Sequence, residues 1–305
     1  NPCSEIILRP NQFCNLSEVV VRSSDAADVL KRKVRLATIL GTLQATLTDF
    51  RYLRSKWKQN TQDEALLGVS MTGIQDCKLT NGVYKDGLPD LLESLKAEAV
   101  ATNKKWASKL GINQAAAITC VKPSGTVSQL VDSASGIHPR YSPYYIRTVR
   151  ASAQDPLCTV LDEAGVPIEE AIGDPRTRVF SFPKKAPDGA VCTSDVGAME
   201  QLRLWKIYQD HWCEHKPSIT VYYTDAEFLE VGQWLYNNFD DVSGISFLPY
   251  DDHTYKQAPY QEITEEEYEK ALKDFPTEFN WDISEGSDLT EGVQNLACTG
   301  GSCEI

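Results

Sequence analysis

Apolar residues recur at helical spacing over 25 to about 53 (Val29, Val34, Leu36, Ile39, Leu40, Leu43, Leu47), with Ser24 or Asp25 as a cap, and predict one long helix. A continuous apolar run over 66–74 predicts a buried strand that ends in a glycine turn. Pro89 opens a second long helix to about Leu110, and Gly111 stops it. Residues 115–121 form a compact apolar strand. Further on, the pattern predicts strands over 144–151, 178–182, 218–224 and 244–248, and helices over 156–164, 196–211 and 225–236. A last helix over 264–273 starts with a capping threonine and a Glu-rich first turn. Near the start, 5–8 predicts a short strand. From Pro276 the signal fades into an acidic tail containing Gly and Ser. Strands alternating with helices at this spacing predict an α/β architecture with parallel neighbours.

Composition narrows the classes. The 305 residues, 42% of them hydrophobic, suffice for one large domain or two ordinary ones. No apolar run reaches eighteen residues, so no membrane-spanning helix is expected, and no secretory pattern opens the chain. A net charge of −13 argues against nucleic acid as a partner, although a local phosphate pocket stays compatible. Nine cysteines fit neither a small disulfide scaffold nor an oxidised secreted protein, so a reducing cytoplasm is expected. Cys77, Cys120, Cys158, Cys192 and Cys213 read as buried core thiols. Without an initiator methionine, the chain reads as a piece of something longer.

Chemistry concentrates at the two ends and at one internal turn. In Asn1-Pro2-Cys3-Ser4-Glu5, an extended backbone would put Asn1, Cys3 and Glu5 on one face, bringing together an amide, a thiol and a carboxylate. Cys14 follows eleven residues after Cys3. At the other end, Cys298 and Cys303 flank a Thr-Gly-Gly-Ser tether, which suits a mobile dithiol; zinc would want more ligands than this spacing offers. Lys122-Pro123-Ser124-Gly125-Thr126-Val127-Ser128 falls where a strand hands over to a helix. Ser124, Gly125, Thr126 and Ser128 are candidate phosphate ligands there. In Ser135-Gly136-Ile137-His138-Pro139-Arg140-Tyr141 and beyond, Arg140, Arg147 and Arg150 read equally as a positive bias for a pocket or as structural pairing. His211 and His215 have a metal-capable spacing without a further ligand, and no metal site is assigned.

Taken together, the Asn1–Glu5 motif, Cys14, the 122–126 turn and the Cys298/Cys303 pair resemble ribonucleotide reductase. The resemblance is to the C-terminal part of the adenosylcobalamin-dependent (class II, monomeric) ribonucleoside-triphosphate reductases. It implies the second half of a ten-stranded α/β barrel over 1–275, with 1–16 as a central finger loop, and a flexible redox tail over 276–305. Cys3 is then the thiyl-radical site, Glu5 a general base, Asn1 a substrate ligand, and Cys14 half of a dithiol oxidised in turnover. Its partner thiol and the allosteric site would lie in a missing N-terminal half. Adenosylcobalamin is the implied cofactor, ribonucleoside triphosphates the substrates, and a thioredoxin-like protein the reductant of Cys298 and Cys303. Half a barrel would leave an uncovered sheet edge. Three alternatives stay open: a class I large-subunit portion with a separate radical-generating subunit, a non-catalytic fragment, and a thiol-disulfide module using the tail cysteines alone. Tyr222-Tyr223 evokes the class I tyrosine pair, but stands too far from the tail cysteines for that pattern.

Overall fold

The computed structural model describes residues 3–83, 86–250, 256–281, 298–299 and 302–303. The chain divides into two compact units, one built from 1–140 and 187–250, the other from 141–186 and 251–304.

In the first unit, β1 (Asn15–Val20) lies parallel to β2 (Leu67–Thr72), in a register pairing Glu18 with Ser70. Parallel bridges continue outward from β2 through Val69↔Thr119 and Val121↔Pro217. Beyond them, β6 (Ile219–Tyr223) pairs in parallel with β7 (Ile245–Pro249). The order across this row is therefore β1, β2, the 117–121 segment, β6, β7. Between these strands run α1 (Ala27–Gln44), α2 (Ser55–Glu64), α3 (Leu88–Leu110) and α6 (Ala198–His211), and α7 (Phe228–Asn237) precedes β7. A single core joins Leu67, Val69 and Met71 of β2 to Leu30 and Val34 of α1, Leu92 and Leu95 of α3, and Trp205 and Tyr208 of α6. Every residue of β2 is buried, as expected for a strand covered on both faces. The indole N–H groups of Trp205 and Trp212 donate to the Pro217 and Cys120 carbonyls, so these large side chains bury no unmet donor.

The second unit differs. Its four-stranded sheet runs β4-β5-β3-β8, from β3 (Tyr144–Ser152), β4 (Ile168–Ala171), β5 (Asp174–Lys185) and β8 (Tyr260–Glu262), and all of its pairings are antiparallel. The expectation of parallel neighbours therefore holds for the first unit and fails for this one. For β4 and β5 the short connection permits only an antiparallel turn. Two helices, α5 (Pro156–Glu163) and α8 (Glu265–Asp274), complete the unit, the latter started by the Thr264–Glu267 capping box. A separate antiparallel pair, β9 (Cys298–Thr299) and β10 (Ser302–Cys303), sets Cys303 opposite Cys298 in the backbone register.

Three further expectations are corrected. The helix expected over 25–53 stops at Gln44, and α2 forms separately. Its buried face is Leu30, Val34, Ala37, Thr38, Gly41 and Thr42, whereas Val29, Leu36, Leu40, Leu43 and Leu47 are exposed. Residues 5–6 are a bend and 7–8 carry no regular structure, and the first strand is β1 instead. Finally, the 115–121 segment joins the sheet by isolated bridges and not as a regular strand.

Candidate functional site

Ser4 adopts a left-handed backbone with φ of 59°, so the opening motif turns and is not extended. The one-face argument for Cys3 and Glu5 therefore fails in its geometry. The two side chains meet by another route: the Lys122 ammonium lies 3.1 Å from Glu5 Oε1 and 3.7 Å from Cys3 Sγ. Asn1 lies outside the described residues. Lys216 N–H donates to the Glu5 carbonyl, and Ile6 is buried with Leu66 and Cys120, which seats the turn against β2. Gly68 makes this possible, because a Cβ there would come within 2.6 Å of Ile6 Cδ1.

Glu5 is fully buried, and its second oxygen, Oε2, has no hydrogen-bond partner among the described residues. A buried carboxylate oxygen without a donor costs free energy, which makes it a natural acceptor for a ligand hydroxyl. Burial works against the Lys122 ammonium, yet the hydrogen bond and charge of Glu5, with Cys3 beside it, hold its pKa above the ordinary lysine value. Cys14 packs against the Ile6, Leu66 and Cys120 cluster; burial, then the Glu5 charge, push its thiol up. Cys3 is partly exposed.

The Lys122–Ser128 turn passes directly into α4 (Gly125–Leu130). Lys122 N–H donates to Ser70 Oγ at 2.9 Å. Thr72 Oγ1 donates to the Ala134 carbonyl, so the hydroxyl it shares with Ser124 must be Ser124 donating. Ser128 donates to the Gly125 carbonyl at 2.6 Å. Ser124 and Ser128 are both buried and spend their protons inside the protein. The donors left over at the turn are the backbone N–H groups opening α4, at Gly125, Thr126 and Val127, which have no intrahelical acceptors.

Behind the turn, the 132–140 loop is clamped. Arg140, buried, meets Asp76 through two hydrogen bonds of 2.8 and 2.9 Å, and Asp76 also accepts from Ala134 N–H. Gly136, at φ of 56°, packs so tightly that a Cβ would lie 2.5 Å from the Lys122 carbonyl oxygen. Of the two readings held for the arginines, structural pairing is the one found: Arg147 meets the Pro259 carbonyl and the Tyr260 ring, and Arg150 the Gln257 carbonyl. His138 is a satisfied core histidine. Its Nδ1 donates to the Ser135 carbonyl and its Nε2 accepts from Thr220 N–H. His211 pairs with Glu93, and His215 with the Leu67 carbonyl, so their shared spacing does not bring them to one ligand. Cys77, Cys120, Cys158, Cys192 and Cys213 are buried and form no disulfide among the described residues.

Sequence reasoning gave Lys122 no role and missed Glu18, Ser70, Thr72 and Asp76 entirely. Glu18, on β1, lies beside Ser70, Ser124 and Lys122, and burial first of all raises its pKa to about 7. The place of Lys122 at the head of the 122–128 motif was the one available signal.

This fold is similar to that of a solved class II ribonucleotide reductase. The crystal structure of a B-12 dependent (class II) ribonucleotide reductase superposes with a TM-score of 0.78 and 25% identity, covering 91% of this chain and 42% of that one. More particularly, the chain is similar from end to end to adenosylcobalamin-dependent ribonucleoside-triphosphate reductases. That of Lactobacillus acidophilus is 27% identical over 336 residues and that of Lactobacillus leichmannii 28% over 342, each alignment spanning 100% of this chain and 45% of the relative. That of Euglena gracilis is 29% identical over 306 residues, across 96% of this chain and 40% of the relative. The chain thus spans less than half the length of the curated relatives it matches. No protein-family model matches it.

Proposed function

We propose that this chain carries the radical-cysteine portion of an adenosylcobalamin-dependent reductase that converts ribonucleoside triphosphates to 2′-deoxyribonucleoside triphosphates. The observation that carries the reading is the Cys3–Lys122–Glu5 cluster beside the 122–128 turn, in a chain similar throughout to reductases of that name. The parallel row β1 to β7 is then half of a ten-stranded barrel, with 1–16 as its finger loop and 276–305 as the redox tail.

Breaking a ribose C–H bond is radical chemistry, beyond acid–base side chains. Adenosylcobalamin, when bound, supplies the radical that Cys3 needs. The fit on this chain's side is a partly exposed thiol beside a buried carboxylate with one oxygen open; no corrin-holding residue is assigned. The Cys3 sulfur takes the 3′ hydrogen while Glu5 Oε2 accepts the 3′ hydroxyl proton, and the 2′ hydroxyl leaves as water. Cys14 and a partner thiol give two electrons and two protons and become a disulfide, and Cys3 then returns hydrogen to C3′. The triphosphate rests on the N–H groups of Gly125, Thr126 and Val127, with Ser124 and Ser128 holding the turn's shape. Asn1 completes the substrate contacts.

By similarity, Cys298 and Cys303 reduce the disulfide and are re-reduced by a thioredoxin-like protein. The partner of Cys14 and the allosteric nucleotide site belong to the length of the relatives that this chain does not span. A cytoplasmic setting is part of the proposal; among the described residues no helix is long and apolar enough to cross a membrane. The test is turnover by the full-length protein that carries this chain. Deoxynucleotide should form only with adenosylcobalamin, and Cys298→Ser/Cys303→Ser should abolish it with a protein dithiol but not with a small dithiol. Activity that needs a separate metal-containing subunit and no cobalamin would overturn the reading.

A further inference from the structure

A lysine heading a Ser-Gly-Thr turn at a helix start is placed by sequence to meet phosphate, because an ammonium and free backbone N–H groups suit the same anion. The structure sends the Lys122 side chain elsewhere. Its ammonium lies 3.1 Å from Glu5 Oε1 and 3.7 Å from Cys3 Sγ, while the turn itself runs on into α4. The backbones on both sides of this contact are fixed. Lys216 donates its N–H to the Glu5 carbonyl and accepts the Val121 N–H at its own carbonyl, so one residue spaces the two partners. Ser70 Oγ takes the Lys122 N–H at 2.9 Å, and Gly136 lets the 132–140 loop close against the Lys122 carbonyl.

We propose that Lys122 is a catalytic residue that serves the reacting pair, Cys3 and Glu5, and not the substrate phosphates. It acts within the site assigned under the proposed function and rests on that reading. By holding Oε1, the ammonium leaves Oε2, buried and without a partner among the described residues, as the oxygen free to accept a substrate proton. Its charge goes first to the carboxylate, the nearer and stronger acceptor, and only then to the sulfur. An ammonium left to Cys3 alone would favour the thiolate. The radical route takes a hydrogen atom from the Cys3 thiol, and a thiolate has none to give.

The test uses the full-length protein that carries this chain. In deoxynucleotide formation with adenosylcobalamin and a dithiol, Lys122→Met should lower kcat by about tenfold or more and leave KM for the ribonucleoside triphosphate within about twofold. A raised KM at unchanged kcat would make Lys122 a phosphate ligand and overturn the proposal. A second readout needs no turnover: iodoacetamide labelling of Cys3 at one neutral pH, followed by peptide mass. Glu5→Gln should label several-fold faster than wild type, because the freed ammonium turns to the sulfur, and adding Lys122→Met should bring the rate back. That double variant strands no charge, so it keeps the test decisive should Lys122→Met alone fail to fold. Cys77, buried in the core, gauges the fold. No rise in Glu5→Gln, a rise that survives in the double variant, or a rise shared by Cys77 each overturns the proposal. Labelling as expected in a protein that forms no deoxynucleotide would sink the reductase reading and leave the pairing of Lys122 with Glu5 and Cys3 standing.

Discussion

Glu5 is wholly buried, and its ionic partner among the described residues, Lys122, is itself 30% exposed. Removing the ammonium strands the carboxylate, so Lys122→Met should cost about 2 kcal/mol in urea titration. That lies below the roughly 3–5 kcal/mol of a fully buried pair, because water still reaches the lysine side. Lys122→Arg should recover most of it. His138 makes a second residue-scale prediction. Burial depresses its pKa to about 4, below the 6.5 of an exposed histidine, so the unfolded chain binds the proton more readily between these values. Stability should thus be complete above about pH 6.5 and fall by up to about 3 kcal/mol as pH drops toward 4. His138→Gln should flatten that slope; an unchanged slope would show that His138 does not carry it. At this scale the sequence named Cys3, Cys14 and Glu5 but not what joins them. Lys122 is separated from Glu5 by more than a hundred positions, and only folding brings them within 3.1 Å.

The elements were legible wherever apolar periodicity coincided with burial. Helices α3, α5, α6 and α8 and strands β2, β3, β6 and β7 begin and end within a few residues of their expected limits. Strand β1 was invisible because its buried positions include Asn15 and Ser17, whereas Leu16 is exposed. Helix α1 misled in the same way, since Ala37, Thr38, Gly41 and Thr42 carry its packed face while its leucines look outward. Leu30→Ala should therefore cost about 2–5 kcal/mol and Leu40→Gln no more than about 0.5, read as shifts in denaturant midpoint. The reverse order would place the wrong face inside. Gly136→Ala should also lower the melting temperature sharply. It adds a left-handed penalty of about 1–2 kcal/mol to a clash with the Lys122 carbonyl, and so displaces the turn that positions that residue.

On the scale of the whole molecule, motif conjunction told more than periodicity did. Two ends and one turn pointed to a reductase, and a TM-score of 0.78 to a class II reductase agrees with them. The antiparallel second unit was not legible, because an α/β alternation says which elements exist and not which strands become neighbours. The central claim is that Cys3 is the sulfur that takes hydrogen from the substrate. The most direct measurement is deoxynucleotide formed from a ribonucleoside triphosphate, with adenosylcobalamin and a dithiol present, by the full-length protein carrying this chain and by its Cys3→Ser variant. The account predicts product from the first and none from the second, while Cys14, Cys298 and Cys303 still titrate as thiols. Product from Cys3→Ser at a comparable rate would contradict it.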